Sequence, residues 1–323
     1  MKRWTCRTIA LAACVAAAAP VVAFAQAYPV RPIRSIMTFA GGADIVARLV
    51  AQGLTEALGQ PVVVEAQAGA GGAIGAETVA RAAPDGHTIM LASASTVVMN
   101  RFLSKSARLD PLRDFTPLTK AFETIALIVT RPSLPVDSVR ELIEYARRNP
   151  GKLSFGTSGV GTTHHLSGEA IRLLAGIDWI HVPYKGGPPV LTDLVGGQIQ
   201  VGLTILATAA PFIKSGKVKV LAVNGARRYP VIPEVPTVGE QLPGYEAPST
   251  WGGYFGPASM PQAVAQRLHD EIVKVLTRPE VRSKAEDIGF VIDTSTPEEL
   301  TETIRRDIAY TSRIVKAIGI QPE

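Results

Sequence analysis

Short apolar runs alternate with helical patterns along the first hundred residues, and this alternation constrains the fold more than any other feature. The run Val62-Val63-Val64 is typical of a parallel strand that is covered on both faces. The pattern predicts strands at 32–39, 61–65 and 88–92, separated by helices at 44–58 and 75–83. Strands and helices in this order indicate a doubly wound parallel sheet.

The same pattern starts again near residue 125. It predicts strands at 125–130, 153–155, 180–182, 201–204 and 218–224, with helices at 138–148, 163–174 and 189–195. The C-terminal third is predicted to be helical, at 261–277, 279–288 and 297–318. A restart of this kind indicates a second core, and hence a second lobe.

We therefore predict a two-lobed α/β protein in which each lobe is a doubly wound, mostly parallel sheet flanked by helices. Residues 26–127 together with 223–323 are expected to form lobe I, and residues 128–222 to form lobe II. Ligands of open α/β sheets bind at the carboxyl ends of the strands, so a ligand cleft is expected between the lobes.

The first 25 residues have the pattern of a secretory signal peptide. Three basic residues precede an apolar, alanine-rich run that ends in an A-x-A site at Ala23-Phe24-Ala25. Both cysteines lie in this segment, so neither a disulfide nor a thiolate metal site is expected after cleavage. An alternative is lipoprotein processing, because Leu11-Ala12-Ala13-Cys14 resembles a lipoprotein cleavage box.

A glycine-rich turn between a strand and a helix, Phe155 to Leu166, is the clearest candidate for a binding site. The first N–H groups of a helix lack partners, the helix dipole is positive there, and glycines allow close approach, so a carboxylate or phosphate fits. The candidate residues in this turn are Gly156, Thr157, Ser158, Gly159 and Thr162. A similar turn in the first lobe adds Phe39, Ala40, Gly41, Gly42 and Asp44. The alternative is two ordinary capped helices.

Four further residues are candidates for ligand contact. His165 lies one turn inside the predicted helix. It is either a ligand contact or a buried hydrogen-bond donor that supports the site from the core. Tyr184 and Lys185 follow a strand, and Lys185 is either an anion partner or a solvated lysine. Trp251 is either a wall of the cleft or a core residue.

The sequence matches the known motifs of enzymes poorly. The nucleophile elbow G-x-S-x-G fails because Val160 stands where its last glycine should be, and the dinucleotide fingerprint fails at Ile74. No H-x-x-x-H spacing for zinc exists, no basic run suggests nucleic acid, and no cofactor is expected. A secreted hydrolase that uses Ser158 and His165 remains the alternative from the enzyme class.

Several motifs together resemble one known family along nearly the whole chain. They are Tyr28-Pro29-Val30-Arg31-Pro32-Ile33-Arg34, Leu58-Gly59-Gln60-Pro61, Pro84-Asp85-Gly86-His87-Thr88, Gly156-Thr157-Ser158-Gly159, His181-Val182-Pro183-Tyr184-Lys185-Gly186 and Gly196-Gly197-Gln198. In these segments the chain resembles the extracytoplasmic solute receptors of tripartite tricarboxylate transporters, also called Bug proteins.

The resemblance implies a periplasmic binding protein fold that closes on a small organic acid and delivers it to an inner-membrane permease. It also implies that backbone amides and ordered waters at the two glycine loops hold the carboxylate. The first loop departs from the family pattern, since Thr38-Phe39-Ala40-Gly41-Gly42-Ala43-Asp44 is two residues shorter and lacks the leading proline. This departure leaves a further alternative, a periplasmic sensor partner without a transport role.

Overall fold

The computed structural model describes residues 28–39, 43–103 and 109–319. The expected signal peptide at 1–25, with Cys14, and three expected binding residues, Ala40, Gly41 and Gly42, lie outside the described residues. Within the described ranges, no helix is both long enough and apolar enough to span a membrane.

Six strands form the first sheet. They are β1 (Ile33–Met37), β2 (Val62–Ala66), β3 (Thr88–Ser93), β4 (Phe115–Thr124), β10 (Trp251–Pro257) and β11 (Phe290–Ile292), in the spatial order β11-β4-β10-β3-β1-β2. The helices of this lobe are α1 (Ala43–Leu58), α2 (Ala73–Ala80), α3 (Asn100–Leu103), α4 (Pro111–Asp114), α10 (Gln262–Leu276), α11 (Pro279–Asp287) and α12 (Pro297–Ile318). A 3-10 turn covers Ala70–Gly72, and a π-helical segment covers Ser95–Met99.

Both faces of the first sheet are covered by helices. On one face α1, α10 and α11 pack through apolar residues that include Val50, Leu268 and Val281. On the other face α2 and α12 pack through residues that include Val79 and Ile304. Burial on two faces is the arrangement expected for the central strands of an α/β sheet.

Five strands form the second sheet. They are β5 (Ala126–Thr130), β6 (Leu153–Thr157), β7 (Trp179–Pro183), β8 (Val201–Ile205) and β9 (Lys219–Val223), in the order β7-β6-β8-β5-β9. Its helices are α5 (Val139–Arg148), α6 (Thr163–Ala175), α7 (Gly187–Val195), α8 (Leu206–Lys214) and α9 (Val238–Gln241). One core contains Leu142 and Ile171, from α5 and α6, and the other contains Val190 and Ala209, from α7 and α8. Val238 and Tyr245 also pack in the first of these cores.

The two-lobed α/β class is confirmed, and both mostly parallel sheets are mixed, because β10 and β11 in the first and β5 in the second run against the other strands. β1 runs parallel to β2 and β3, whereas β10 runs antiparallel to β3 and β4. In the second sheet, β5 runs antiparallel to both β8 and β9. The cause is the chain's passage between the lobes, because only Ile125 separates β4 in one sheet from β5 in the other.

Three strands of the first sheet, β4, β10 and β11, were not predicted from the sequence. β10 contains Gly252, Gly253 and Gly256 and ends at Pro257, and β4 contains Pro117; these residue types disfavour strands. Tertiary pairing overrides that preference, since β10 lies between β3 and β4 and is buried along its whole length.

Candidate ligand-binding site

The loops that follow the parallel strands of lobe II open toward the crossing, the region around Ile125 where the chain passes from one lobe to the other. Gly156 in β6 pairs with Val182 in β7 and with Gly202 in β8, so these three strands end at one edge. The start of β5, where the chain enters the second sheet, lies at the same edge because Ala126 pairs with Ile205.

The first sheet presents the same kind of edge to the crossing. Ser93, at the end of β3, pairs with Gly252 at the start of β10, next to the point where β4 leaves the sheet. The strand ends of both lobes therefore face the region between them, where open α/β sheets bind their ligands.

The backbone conformation of the turn after β6 requires glycines, and a threonine hydroxyl in the turn caps the helix that follows. Gly159 and Gly161 have φ angles of 138° and 75°, which residues with side chains rarely adopt. The Thr162 hydroxyl donates to the Gly159 carbonyl at 2.9 Å and accepts from the His165 N–H at 3.3 Å, which makes Thr162 the N-cap of α6. The Gly161 N–H donates to His165 Nδ1 at 3.1 Å.

This capping leaves donors for a ligand. The N-cap hydroxyl satisfies the N–H at the third helical position, but the N–H groups of Thr163 and His164 at the first two positions have no intrahelical partner by geometry. They lie at the positive end of a 13-residue helix. The turn can therefore bind an anionic oxygen without a cationic side chain.

Three histidines surround the turn, and burial lowers the pKa of each. The rings of His165 and His181 stack at 4.0 Å between centroids, and the Thr157 hydroxyl lies 2.7 Å from His181 Nε2. Burial, with a smaller contribution from His165, lowers the pKa of His181 to about 4, and burial lowers that of His164 to about 4. Burial also lowers the pKa of His165, against the opposing effect of Glu169. At neutral pH the three rings are uncharged, so the anion site depends on N–H groups and the helix dipole.

Stability is expected to fall as the pH is lowered from about 6.5 toward 4, because unfolded histidines take up protons in this window while His164 and His181 stay neutral in the fold. Urea unfolding at several pH values measures this effect. Carboxylates also change the stability at the acid end of this window, so the wild type is compared with His164→Gln and His181→Gln. Each substitution should flatten the dependence of stability on pH. A profile that is identical in the wild type and both variants would contradict the assignment.

Ser158 contacts His164 rather than the histidine named in the hydrolase hypothesis. The Ser158 hydroxyl lies 3.2 Å from His164 Nδ1, whereas Nδ1 of His165 accepts from Gly161. His164 Nε2 is buried and has no partner among the residues that the structure describes, so no carboxylate orients the ring as a catalytic triad requires. In this structure the histidine next to the Ser158 hydroxyl is therefore His164 and not His165.

Tyr184 and Lys185 lie beside the turn, and their environments differ. The Tyr184 hydroxyl donates to Asp193 Oδ2 at 2.7 Å, and burial together with that carboxylate raises its pKa to about 12. The Tyr184 N–H donates to the Thr157 carbonyl, which ties the two loops together. Lys185 is exposed and carries its charge next to the turn.

In lobe I the described candidates lie on both sides of the loop 40–42. Phe39 is partly buried against the first core. Asp44, in the first turn of α1, forms an ion pair with Arg48 at 2.7 Å along the helix surface. Whether either residue contacts a ligand remains a prediction.

Sequence reasoning missed a chain of hydroxyl groups at the strand ends of lobe I. Thr96 Oγ1 lies 3.2 Å from Thr38 Oγ1, at the end of β1, and 3.2 Å from Ser93 Oγ, at the end of β3. A Cβ on Gly72 would lie 2.3 Å from Thr96 Oγ1, so only glycine allows this close approach. Hydroxyl residues at or just past the ends of predicted strands are the pattern that would have indicated this cluster.

Trp251 is buried in the first lobe beside the crossing. Its ring packs in the core with Phe255, and its Nε1–H donates to Asp307 Oδ2 at 2.8 Å. Asp307, on α12, also accepts from the Ser249 hydroxyl. Of the two roles considered for Trp251, this packing is that of a core residue, and ligand contact stays a prediction.

Two lobes of this topology, with strand ends that meet where the chain crosses between them, define a periplasmic solute-binding protein. The fold is shared with solved structures of that class. One is an R. palustris protein solved with adipate (32% identity, TM-score 0.83, 92% of this chain and 100% of that chain). Another is MatC from Rhodopseudomonas palustris with bound malate (31% identity, TM-score 0.78, 89% of this chain and 100% of that chain).

The family follows from the sequence match. Residues 46–320 match the family described as "Tripartite tricarboxylate transporter family receptor". A curated relative, the protein BugT of Bordetella pertussis (strain Tohama I), is 32% identical over 306 residues, which cover 94% of this chain and 93% of the relative. The chain belongs to the tripartite tricarboxylate transporter receptor family.

Proposed function

We propose that this protein captures a small organic acid, a mono-, di- or tricarboxylate, between its two lobes. The observation that carries the proposal is the turn 158–163, where the cap leaves the first N–H groups of α6 without an intrahelical partner, at the edge of lobe II where its parallel strands end. The adipate and malate in the two structures compared above support a carboxylate as the ligand. Closure of the lobes would report occupancy to a partner.

We further propose that the receptor works in the periplasm and delivers its ligand to an inner-membrane permease of the tripartite tricarboxylate type. Membership of the receptor family supports this assignment. The basic and apolar pattern of residues 1–25 supports export through a cleaved signal peptide.

Thermal unfolding against a panel of carboxylic acids tests the proposal. The mature protein is first unfolded and refolded to remove any bound ligand. A ligand present at about 100 times its dissociation constant should add about 2.7 kcal/mol to the stability and raise the melting temperature by several degrees. Isothermal titration then gives the affinity. A panel of mono-, di- and tricarboxylates that produces no shift would overturn the proposed function.

A further inference from the structure

Thr204, at the end of β8, carries a buried hydroxyl that the fold leaves unused. The residue is 1% exposed, and its Oγ1 has no hydrogen-bond partner in the part of the chain that the structure describes. A buried hydroxyl without a hydrogen-bond partner is unfavourable. Where such a group lies near the edge of a binding site, a ligand can supply the partner that the protein does not.

The hydroxyl lies next to the turn of the proposed receptor site. Because Gly156 pairs with Gly202 in the parallel β6–β8 ladder, Thr204 and Ser158 each lie two residues beyond that pair, at the same edge of the sheet. The Gly186 N–H donates to the Ser158 carbonyl at 3.3 Å and joins this turn to the start of α7. Thr204 and the turn 158–163 therefore belong to one edge of lobe II.

The hydroxyls of Thr204 and Thr208 both lie next to Gly187, the first residue of α7. A Cβ placed on Gly187 would lie 3.5 Å from Thr204 Oγ1 and 3.3 Å from Thr208 Oγ1, so a side chain at this position would press against both hydroxyls. The helix has no side-chain cap, and its next two residues, Pro188 and Pro189, have no N–H. The start of α7, with the positive end of its dipole, thus lies next to the two hydroxyls.

We propose that Gly187, Thr204 and Thr208 form a second anion subsite, which binds the distal carboxylate of a dicarboxylate whose first carboxylate lies at the turn 158–163. This inference rests on the receptor function proposed above. Each of the three groups can donate a hydrogen bond, and the exposed Lys185 adds positive charge two residues before Gly187. A carboxylate oxygen also supplies the partner that the Thr204 hydroxyl lacks.

The first lobe contacts the same end of α8. A Cβ on Gly289, just before β11, would lie 2.7 Å from the Ala207 nitrogen, so lobe I lies directly against the residue before Thr208. Lobe contact at this point encloses the subsite, and a hydrogen bond formed away from bulk water is stronger than one formed in it.

The test compares a dicarboxylate with the monocarboxylate of equal chain length, for example adipate with hexanoate, by isothermal titration of refolded protein. Thr204→Val keeps the side-chain shape and removes the hydroxyl. It should weaken adipate binding about tenfold, as loss of one hydrogen bond to a charged group predicts, and leave hexanoate binding within about twofold. Gly187→Ala presses a side chain against both hydroxyls and should show the same selectivity.

Thr130→Val is the matched control. Thr130 is also fully buried in the second sheet with an unpartnered Oγ1 among the described residues, but it pairs with Val201, at the other end of β8. It should change neither affinity. If adipate does not bind, the longest dicarboxylate that binds in the panel and its monocarboxylate replace the pair.

The outcomes separate the two proposals. The subsite is overturned if Thr204→Val weakens both acids equally, if it weakens neither, or if the wild type binds monocarboxylates as tightly as dicarboxylates. In all three cases the receptor function stands. A wild type that binds no carboxylate overturns the receptor function and the subsite with it.

Discussion

Gly168→Ala is expected to lower the free energy of unfolding by about 2 kcal/mol, although alanine is the better helix former. The residue lies in the middle of α6, where exchange of glycine for alanine normally raises the free energy of unfolding by about 1 kcal/mol. Here a Cβ would lie 2.2 Å from Phe155 Cε2, far inside van der Waals contact. Phe155 is fully buried and held between the rings of Trp179 and His181, at 4.7 and 4.9 Å, so it has no room to move. Overpacking of a core is unfavourable by about 1–3 kcal/mol, and we expect the upper end here.

Urea unfolding of four proteins tests this prediction as a double-mutant cycle. Phe155→Leu shortens the opposing side chain, so the cost of Gly168→Ala should be much smaller in that background than in the wild type. Equal costs in the two backgrounds, or a stabilisation by Gly168→Ala alone, would show that the ring does not limit the approach of α6 to β6.

The sequence predicted the parallel strands and most of the helices of both lobes because each carries its own periodic pattern, but it missed α3, α4, α8 and α9. The amphipathic helix α5 begins where it was predicted, after Ser138, whose hydroxyl accepts from the Glu141 N–H. The helix α12 likewise begins where it was predicted, after a capping box of Thr296 and Glu299. Information of this kind lies within a few neighbouring residues, so no tertiary structure is needed to find it.

The crossing strands and the site geometry could not be predicted in the same way. β10 is a strand because β3 and β4 pair with it on either side, and its glycine-rich sequence carries no local sign of that pairing. The choice of His164 rather than His165 as the neighbour of Ser158 depends on side-chain directions in the first turn of α6. The open hydroxyl of Thr204 depends on the approach of α7 to β8, two elements that are distinct in sequence. Such features follow from packing, which residue order alone does not specify.

Gly161→Ala is expected to weaken carboxylate binding about 100-fold while costing little stability. Its φ of 75° is accessible to alanine only with strain of about 1 kcal/mol, which the turn can relieve by moving its backbone. Such a movement would displace the N–H groups at the start of α6, next to the cap formed by Thr162. Loss of two hydrogen bonds to an anion, at about 1.5 kcal/mol each, corresponds to roughly a 100-fold loss of affinity.

Gly176→Ala is the control that distinguishes the effect of backbone strain from a loss of binding, because Gly176 lies at the other end of the same helix. Gly176 has a similar φ of 59°, and its added Cβ would meet nothing within 4 Å. Both variants should lose a similar amount of stability in urea unfolding, but only Gly161→Ala should lose affinity in titration with the acid selected by the panel. If both variants bind that acid as the wild type does, the turn 158–163 is not the carboxylate site, and ligand recognition must lie with the lobe I strand ends. If both lose affinity equally, binding depends on the placement of α6 as a whole rather than on the N–H groups of its first turn.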